Sequence, residues 1–284
     1  MPKEKNGPSL RSKRTPDFAT IAGLALAVGG ILTGLVLEGG KMTDVSQTTA
    51  ALIVLAGTFG AVLVTTPLPT FLAAVKRLGV VFFNENQPFA EMLAYLAHCA
   101  DLARRNGLTS LEDEAVKVDD PFLKKALYLT SDGTDIQEIE SMLRLDIDVR
   151  EQRADAEARV WEAAGGYSPT IGIIGAVLGL IQVMKHLEQI DEVGRGIAVA
   201  FVATVYGVGV ANILFLPIAA KIQARERERT EFQEMIIEGI LSISSGMNPK
   251  LIQIKLEAFA KRRKAQVRER ASAPPLEART VPGD

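Results

Sequence analysis

The chain has 284 residues, of which 48% are hydrophobic and 23% are charged, and its formal net charge is −2. A mean hydropathy of +0.16 is high for a soluble domain with this much charge, so we expect apolar segments to alternate with strongly charged ones. The near-zero net charge and the 6% aromatic content give no support for nucleic-acid binding. With one cysteine and two distant histidines, we expect neither an intrachain disulfide nor a metal site.

Four stretches without charged residues are each long enough to cross a bilayer as a helix, which takes about 20 apolar residues. They predict transmembrane helices near residues 19–37, 47–66, 168–187 and 196–219. The segment Glu38-Gly39-Gly40-Lys41 is typical of a tight turn between the first two helices. Pro67 and Pro69 are expected to end the second helix near Thr66, because proline cannot continue a helix.

Lysine and arginine residues flank the four helices unequally and so predict the orientation of the chain. Five of them precede the first helix and a further group follows the fourth, whereas the connection 38–46 contains only Lys41. We therefore expect both termini and the long segment 67–165 to be cytoplasmic, with two short external connections.

The long cytoplasmic segment carries several helix signals. An apolar stripe over 89–105 is followed by Asn106-Gly107, a common helix end. Residues 109–112 and 134–137 have the spacing of a capping box, with threonine as the cap in each. Asp120 before Pro121 is typical of an N-cap followed by proline in the first turn.

Apolar residues recur close to every 3.6 positions from residue 136 to Trp161. This period predicts one helix that runs directly into the third span, with Gly165-Gly166 as a candidate flexible joint. After the fourth span, a stripe over 232–243 predicts a second amphipathic helix that packs on the first or on a neighbouring subunit. A break at 246–249, a short helix to residue 264 and a disordered tail from Ala271 are expected to follow.

No Asp, Glu, Lys, Arg or His lies inside a predicted span, although ionisable groups at this depth usually mark an ion pathway. The polar residues of the third and fourth spans are Ser168, Thr170, Gln182, Thr204, Tyr206 and Asn212. They either form hydrogen bonds between helices of an inert bundle or line a path whose titrating group is supplied by another chain.

Small residues and prolines in the spans predict how the helices meet. Gly30 with Gly34, and Gly175 with Gly179, have the four-residue spacing of closely packed helix faces. Pro169 is predicted to open the third span, where proline is well tolerated. Pro217 is predicted to permit a kink late in the fourth.

These features together resemble the A subunit of bacterial flagellar stators, the MotA and PomA family of the MotA/TolQ/ExbB superfamily. The similar runs are residues 167–176 in the third span, 201–207 with Leu216-Pro217 in the fourth, 104–112, 238–240 and 248–250. The resemblance covers about residues 18–265. It implies an all-α integral membrane protein with four transmembrane helices and a helical cytoplasmic domain.

The predicted organisation has six parts. They are a cytoplasmic tail (1–18), a hairpin of two spans (19–66), a rotor-facing helical domain (67–165), the ion-path helices (166–220), C-terminal helices (221–265) and a disordered tail (266–284).

The resemblance also implies a function in the bacterial inner membrane. Members form a ring of five A subunits around two B subunits, each B subunit having a single span with a membrane aspartate. Ion flow past that aspartate drives torque on the rotor protein FliG. One charge that crosses 100 mV supplies about 2.3 kcal/mol.

Family roles carry over to individual residues of this chain. Pro169 and Pro217 match the prolines of conformational coupling, Thr204 matches a pore-side threonine, and Thr170 is a further ion-path candidate. Arg104 and Glu112 match the charged pair that engages the rotor, with Arg105 as a neighbouring candidate. A helix-cap role for Glu112 and a helix-end role for the two arginines are alternatives that could coexist with this.

The transported ion is predicted to be H⁺ rather than Na⁺. Sodium-driven relatives tend to carry threonine at the position of Ala176, and a hydroxyl there could help to bind a dehydrated Na⁺. No cofactor is expected.

Four alternatives to a proton-driven stator differ from it in recognisable ways. A sodium-driven, PomA-type stator remains open at the level of the sequence. An ExbB- or TolQ-like energiser would have one span fewer and an external N-terminus, unlike the predicted topology. A transporter would need an ionisable or broken-helix site at mid-membrane, which the predicted spans lack. A scaffold protein would conduct no ions. An enzyme is not expected, because no nucleophile–base pair, phosphate loop or metal spacing is present in the sequence.

Overall fold

The computed structural model describes residues 13–259, which divide into two compact units. One unit contains residues 87–148 and 229–259, and the other contains residues 13–86 and 149–228. The helices are α1 (Phe18–Leu37), α2 (Met42–Val45), α3 (Thr48–Thr65), α4 (Leu68–Lys76), α5 (Leu78–Phe82), α6 (Phe89–Asn106), α7 (Leu111–Lys117), α8 (Pro121–Ser131), α9 (Ile136–Lys185), α10 (Ile190–Val210), α11 (Leu216–Ser244) and α12 (249–259). The predicted tail from Ala271 and the end of the last helix lie outside the described residues.

Within residues 13–259, four helical segments are long and apolar enough to cross a membrane, as predicted. They are Phe18–Leu37, Met42–Thr65, part of Ile136–Lys185 and part of Ile190–Ser244. The second ends at Thr65, just before the two prolines. Gly39 adopts a positive φ of 82° in the turn after α1, a conformation in which glycine has no steric penalty.

The glycines predicted to pack in the first span do not contact a neighbouring helix. α1 has no buried residue, and no heavy atom lies within 4 Å of a Cβ position built at Gly30 or Gly34. Within the described chain, this face therefore does not form the close packing that its spacing predicts.

α9 is continuous for 50 residues, which confirms one helix running into the third span but not a joint at Gly165-Gly166. A Cβ at Gly165 would stand 2.5 Å from Cδ2 of Leu216, so this glycine serves close packing. Pro169 lies inside the helix rather than at a helix start, because the amphipathic pattern before it contains no break.

The N-cap of α9 lies one residue later than predicted. Asp135, not Thr134, accepts a hydrogen bond at Oδ1 from the N–H of Gln137, at 2.8 Å. The N–H of Thr134 instead donates to Leu129 at 3.2 Å. Thr134 therefore still belongs to the end of α8.

A π-helical segment, Ala211–Phe215, connects α10 to α11 immediately before Pro217. A proline ring clashes with the carbonyl group four residues earlier, and widening the preceding turn relieves that clash. The predicted distortion therefore takes the form of a π-helical turn.

A short antiparallel ribbon, which the sequence did not predict, pairs β1 (Lys13–Pro16) with β2 (Phe83–Asn86). The N–H of Asp17 continues the contact by donating to the carbonyl oxygen of Phe82 at 2.8 Å. Asp17 also caps α1, because its Oδ1 accepts from the N–H of Thr20 at 3.2 Å.

The unit of residues 87–148 and 229–259 has an aliphatic core. The apolar stripe of α11 packs there with residues of α9 such as Ile139, Leu143 and Ile147, which confirms one of the two predicted partners. Positive φ values at Gly107 and Gly246 accompany the helix ends predicted near them.

One predicted cap in this unit is confirmed and one is wrong. Asp120 caps α8 and accepts from the N–H groups of Phe122 and Leu123, both at 2.9 Å. The capping box at 109–112 does not form, because Leu108–Ser110 is a 3₁₀ turn that leads directly into α7. Ser110 precedes α7 without a side-chain cap bond.

Candidate functional site

The third and fourth spans meet through their backbones. A Cβ at Gly172 would stand 2.9 Å from the carbonyl oxygen of Ala203, and one at Gly207 would stand 2.6 Å from that of Ser168. Contacts this short exclude any side chain, so glycine permits the approach. The contact, called the seam below, is formed by Ser168, Gly172, Gly175, Gly179, Gly196, Ala200, Ala203 and Gly207. The packing predicted for Gly175 and Gly179 is present in it.

A hydrogen bond fixes one end of the seam. The buried hydroxyl of Ser168 donates to the carbonyl oxygen of Gly207 at 2.9 Å. Ser168 directly precedes Pro169, so the proline candidate is tied to the neighbouring helix by the residue before it.

The predicted hydroxyl candidates bond within their own helices. Thr170 donates to the carbonyl oxygen of Tyr167 at 2.7 Å, and Thr204 donates to that of Ala200 at 3.3 Å. Each hydroxyl oxygen retains acceptor capacity. Thr170 is exposed, whereas Ala176 and Thr204 are half-buried.

Two of the ion-path candidates, Thr204 and Ala176, lie beside the seam. Thr204 follows Ala203, which contacts both Gly172 and Gly175, and Ala176 follows Gly175. Pro217 does not join them, because it lies 13 residues beyond Thr204, about 20 Å along a helix.

Tyr206 has a role that the sequence did not indicate. Its hydroxyl donates to the carbonyl oxygen of Val45 and accepts from the N–H of Gln47 at 3.4 Å. The phenol thereby joins α10 to the start of α3.

Two ion-pair networks, also missed by sequence reasoning, lie outside the charge-free stretches. In the first, buried Glu226 pairs with both Arg77 and Arg150, and Arg77 also pairs with Glu157 at 3.1 Å. Glu226 is only 5% exposed. The network connects α11 to α9 and to the residue between α4 and α5.

The second network holds the start of the first span. Asp17 pairs with Lys221 at 2.7 Å and with Arg225 at 2.6 Å. Burial by itself would raise the pKa of Asp17. The hydrogen bonds from Lys221 and Thr20, with the charges of Lys221 and Arg225, outweigh it and lower that pKa to about 2. Asp17 is therefore a stable carboxylate at neutral pH.

The predicted rotor-contact residues lie in the other unit and all three are exposed. Arg104 and Arg105 end α6, and Glu112 lies in the first turn of α7. Gly107, with a φ of 86°, reverses the chain between them. Among the residues described, none of the three forms an ion pair, so their charges are open to a partner.

A buried carboxylate lies close to this charged turn. Glu114 is 7% exposed, and its Oε2 accepts from the hydroxyl of Tyr95 at 3.0 Å. Lys117 donates to its Oε1 at 2.7 Å. Burial would raise the pKa of Glu114, but the hydrogen bonds from Lys117 and Tyr95 lower it overall. Burial also raises the pKa of the nearby Cys99 thiol, to about 12.

The fold and the seam together define a multi-pass membrane protein with closely packed third and fourth spans. Comparison with known proteins narrows this class. Residues 114–235 match the MotA/TolQ/ExbB proton channel family, and residues 21–107 match the N-terminal region of motility protein A.

Named relatives match along most of the chain. Motility protein A of Bacillus subtilis is 36% identical over 242 residues, which cover 84% of this chain and 89% of the relative. Chemotaxis protein PomA of Vibrio alginolyticus is 31% identical over 246 residues, which cover 86% and 95% of the two chains.

Solved structures agree with the sequence matches. The C. jejuni MotAB structure gives a TM-score of 0.81 at 34% identity, with 86% of this chain and 95% of the other covered. The flagellar MotAB stator complex of Bacillus subtilis gives 0.79 at 35% identity, with 87% and 98% covered.

The chain therefore belongs to the MotA/TolQ/ExbB proton channel family. Its matched relatives include motility protein A and PomA, which confirms the predicted family, the all-α membrane fold and the stator function. The stator structures and the four apolar helices indicate an inner-membrane protein.

Proposed function

We propose that this chain is the A subunit of a flagellar stator, and that a B subunit with a single span supplies the membrane aspartate for ion transfer. The observation that carries this proposal is the match to MotAB stator structures over 86% and 87% of the chain. The lack of any charged residue or histidine in stretches 163–184 and 196–220 supports a titrating group from another chain.

We propose a ring of five A subunits around two B subunits. Apolar faces that are exposed in the single chain support assembly, because large exposed apolar patches mark contacts with protein or lipid. On α9 and α10 they include Ile173, Ile174, Val177, Phe201 and Val205. The numbers five and two come from the resemblance to the stator family.

The transported ion in this proposal is H⁺, and no bound cofactor takes part. Ala176 offers no hydroxyl group for a dehydrated Na⁺. The 31% identity with PomA keeps the sodium-driven stator as the second candidate.

Torque in this proposal passes to the rotor protein FliG through Arg104, Arg105 and Glu112. All three side chains are exposed. The two positive charges precede a single turn of the chain and the negative charge follows it. Such a surface can engage a partner that carries complementary charges. The proposal places the charged turn on the cytoplasmic side, as the lysine and arginine residues that flank the spans predict.

Expression of the chain with its B subunit in a bacterium that lacks stators tests the proposal. We expect swimming to be restored, at a speed that does not change when sodium is removed from the buffer. Restored swimming that stops without sodium would support the PomA-type alternative. Well-assembled complexes that never restore swimming would contradict the stator function.

A further inference from the structure

The turn with the three exposed charges is formed by two helices that are joined by one buried polar contact. The hydroxyl of Tyr95 on α6 lies 3.0 Å from Oε2 of Glu114 and 3.3 Å from the backbone oxygen of that residue on α7. Tyr95 is 5% exposed and Glu114 is 7% exposed.

Glu112 and Glu114 lie on opposite faces of α7, because residues two apart on a helix differ by about 200°. Leu111, Glu114 and Ala115 are buried, whereas Glu112 is exposed. The contact that holds the inner face of α7 thus determines where the outer face presents its carboxylate.

α7 also packs closely against α8, and these further contacts are apolar. It has seven residues and no side-chain cap bond, and so short a helix is marginal without tertiary contacts. Leu111 and Ala115 contribute apolar packing, which is not directional. The bond between Tyr95 and Glu114 is directional, and the pairing of Lys117 with Oε1 at 2.7 Å restrains the carboxylate further.

Stability alone does not account for a carboxylate at this place. A well-packed apolar side chain in place of a buried charged group is often neutral or stabilising. What the apolar side chain would not supply is a defined angle between α6 and α7.

We propose that Glu114, held by Tyr95, is a positioning residue that fixes Glu112 of α7 relative to Arg104 at the end of α6, and that rotor engagement depends on this arrangement. The second part of the proposal rests on the proposed rotor contact.

The test measures geometry and engagement separately. Spin labels at Asn106→Cys and Asp113→Cys, both exposed positions, report the separation of the two helix ends in the purified complex with its B subunit. Labelled subunits are diluted with an excess of unlabelled ones, so that distances within one chain are measured. The natural Cys99 is buried and should not be labelled. Glu114→Leu and Tyr95→Phe are compared with the control variants Glu91→Leu, which changes an exposed carboxylate on α6, and Tyr128→Phe, which changes a half-buried tyrosine on α8. Leucine is chosen because the amide oxygen of a glutamine would still accept the hydrogen bond from Tyr95.

We expect one narrow distance in the parent and both controls, and a broadened distribution in Glu114→Leu and Tyr95→Phe. In the same two variants, without the spin labels, recruitment of stators to motors should fall about fivefold at equal membrane abundance, the factor expected for one ordinary hydrogen bond. If Tyr95→Phe does not assemble, Glu114→Leu, which removes the carboxylate acceptor, provides the test.

Two results would overturn the inference in different ways. An unchanged, narrow distance in Glu114→Leu or Tyr95→Phe would show that the buried bond does not position α7. A broadened distance with normal recruitment and torque would instead show that the charged turn is not the rotor contact, and would refute that part of the proposed function.

Discussion

The seam and the two ion-pair networks lie in the same unit but hold helices together by opposite means. At the seam, side chains are small or absent and backbones approach closely, as in the 2.9 Å distance from a Gly172 Cβ position to the carbonyl oxygen of Ala203. In the networks, long charged side chains bridge helices, as Glu226 does with Arg77 and Arg150.

The difference follows from the environment of each region. Within charge-free stretches an apolar surface gains nothing by leaving lipid for protein, so close packing and interhelical hydrogen bonds must hold the helices. Outside these stretches, charges can be paired with one another. We therefore expect a larger side chain to disrupt the seam, and the removal of a charged group to disrupt the networks.

The largest effect is expected from volume added at the seam. In Gly207→Val the new Cβ would stand 2.6 Å from the carbonyl oxygen of Ser168, and separating the helices would also break the Ser168 hydrogen bond. Overpacking costs about 1–3 kcal/mol, to which the lost bond adds. We expect loss of folded protein in membranes and no swimming. Gly209→Val, on the same helix with no atom within 4 Å, is the control and should be produced normally.

Removal of one charge from the first network should have a comparable or slightly smaller effect. Glu226→Gln removes the carboxylate that Arg77 and Arg150 share. Breaking a buried pair in this way typically costs about 3 kcal/mol or more, although Glu157 still compensates Arg77 in part. We expect a lower thermal unfolding midpoint of the purified complex. Glu188→Gln, at an exposed position, should leave the midpoint unchanged, and an equal drop in both variants would contradict a specific network.

The substitution Pro169→Ala tests the seam without adding a larger side chain. In Pro169→Ala the restored N–H can complete the hydrogen bond that proline removes from α9. We expect normal membrane abundance with loss of torque, measured by swimming and by recovery of the complex. Pro69→Ala, near the start of α4 where no such bond is lost, serves as the control. Normal motility of Pro169→Ala would refute the coupling role.

The second network should show itself in the pH dependence of stability. The pKa of Asp17 is depressed from 3.8 to about 2, so its contribution is present above pH 3.8 and is lost as the pH falls through about 2. The difference amounts to about 2 kcal/mol. We expect Asp17→Asn to unfold more readily at pH 7 and to approach the parent in stability below pH 3.8. A stability gap that does not change with pH would contradict this.

The spans and the seam could be predicted because their signals are local. Charge-free stretches mark the spans, and Gly175 and Gly179 mark a packing face within one helix. The networks could not be predicted in this way, because Glu226 lies 149 positions from Arg77 and 76 from Arg150, and nothing in the sequence pairs them.

Some local signals were misleading for physical reasons. Residues 109–112 have the spacing of a capping box, but Leu108–Ser110 forms a 3₁₀ turn instead. The N–H of Thr134 donates to a carbonyl oxygen of α8 and is not available to cap α9. The π-helical turn before Pro217 has no residue pattern beyond the proline itself. Of the candidate site, the sequence identified the exposed charges but not the buried Glu114 that lies behind them.

We propose that this chain forms an ion path but does not supply its titrating group. Proton flux into vesicles, driven by an imposed potential, tests it in three preparations: the chain alone, the chain with its B subunit, and the same pair with the B subunit's membrane aspartate changed to asparagine. We predict flux in the second preparation alone. Flux through the chain by itself, or through the pair without the aspartate, would contradict the claim.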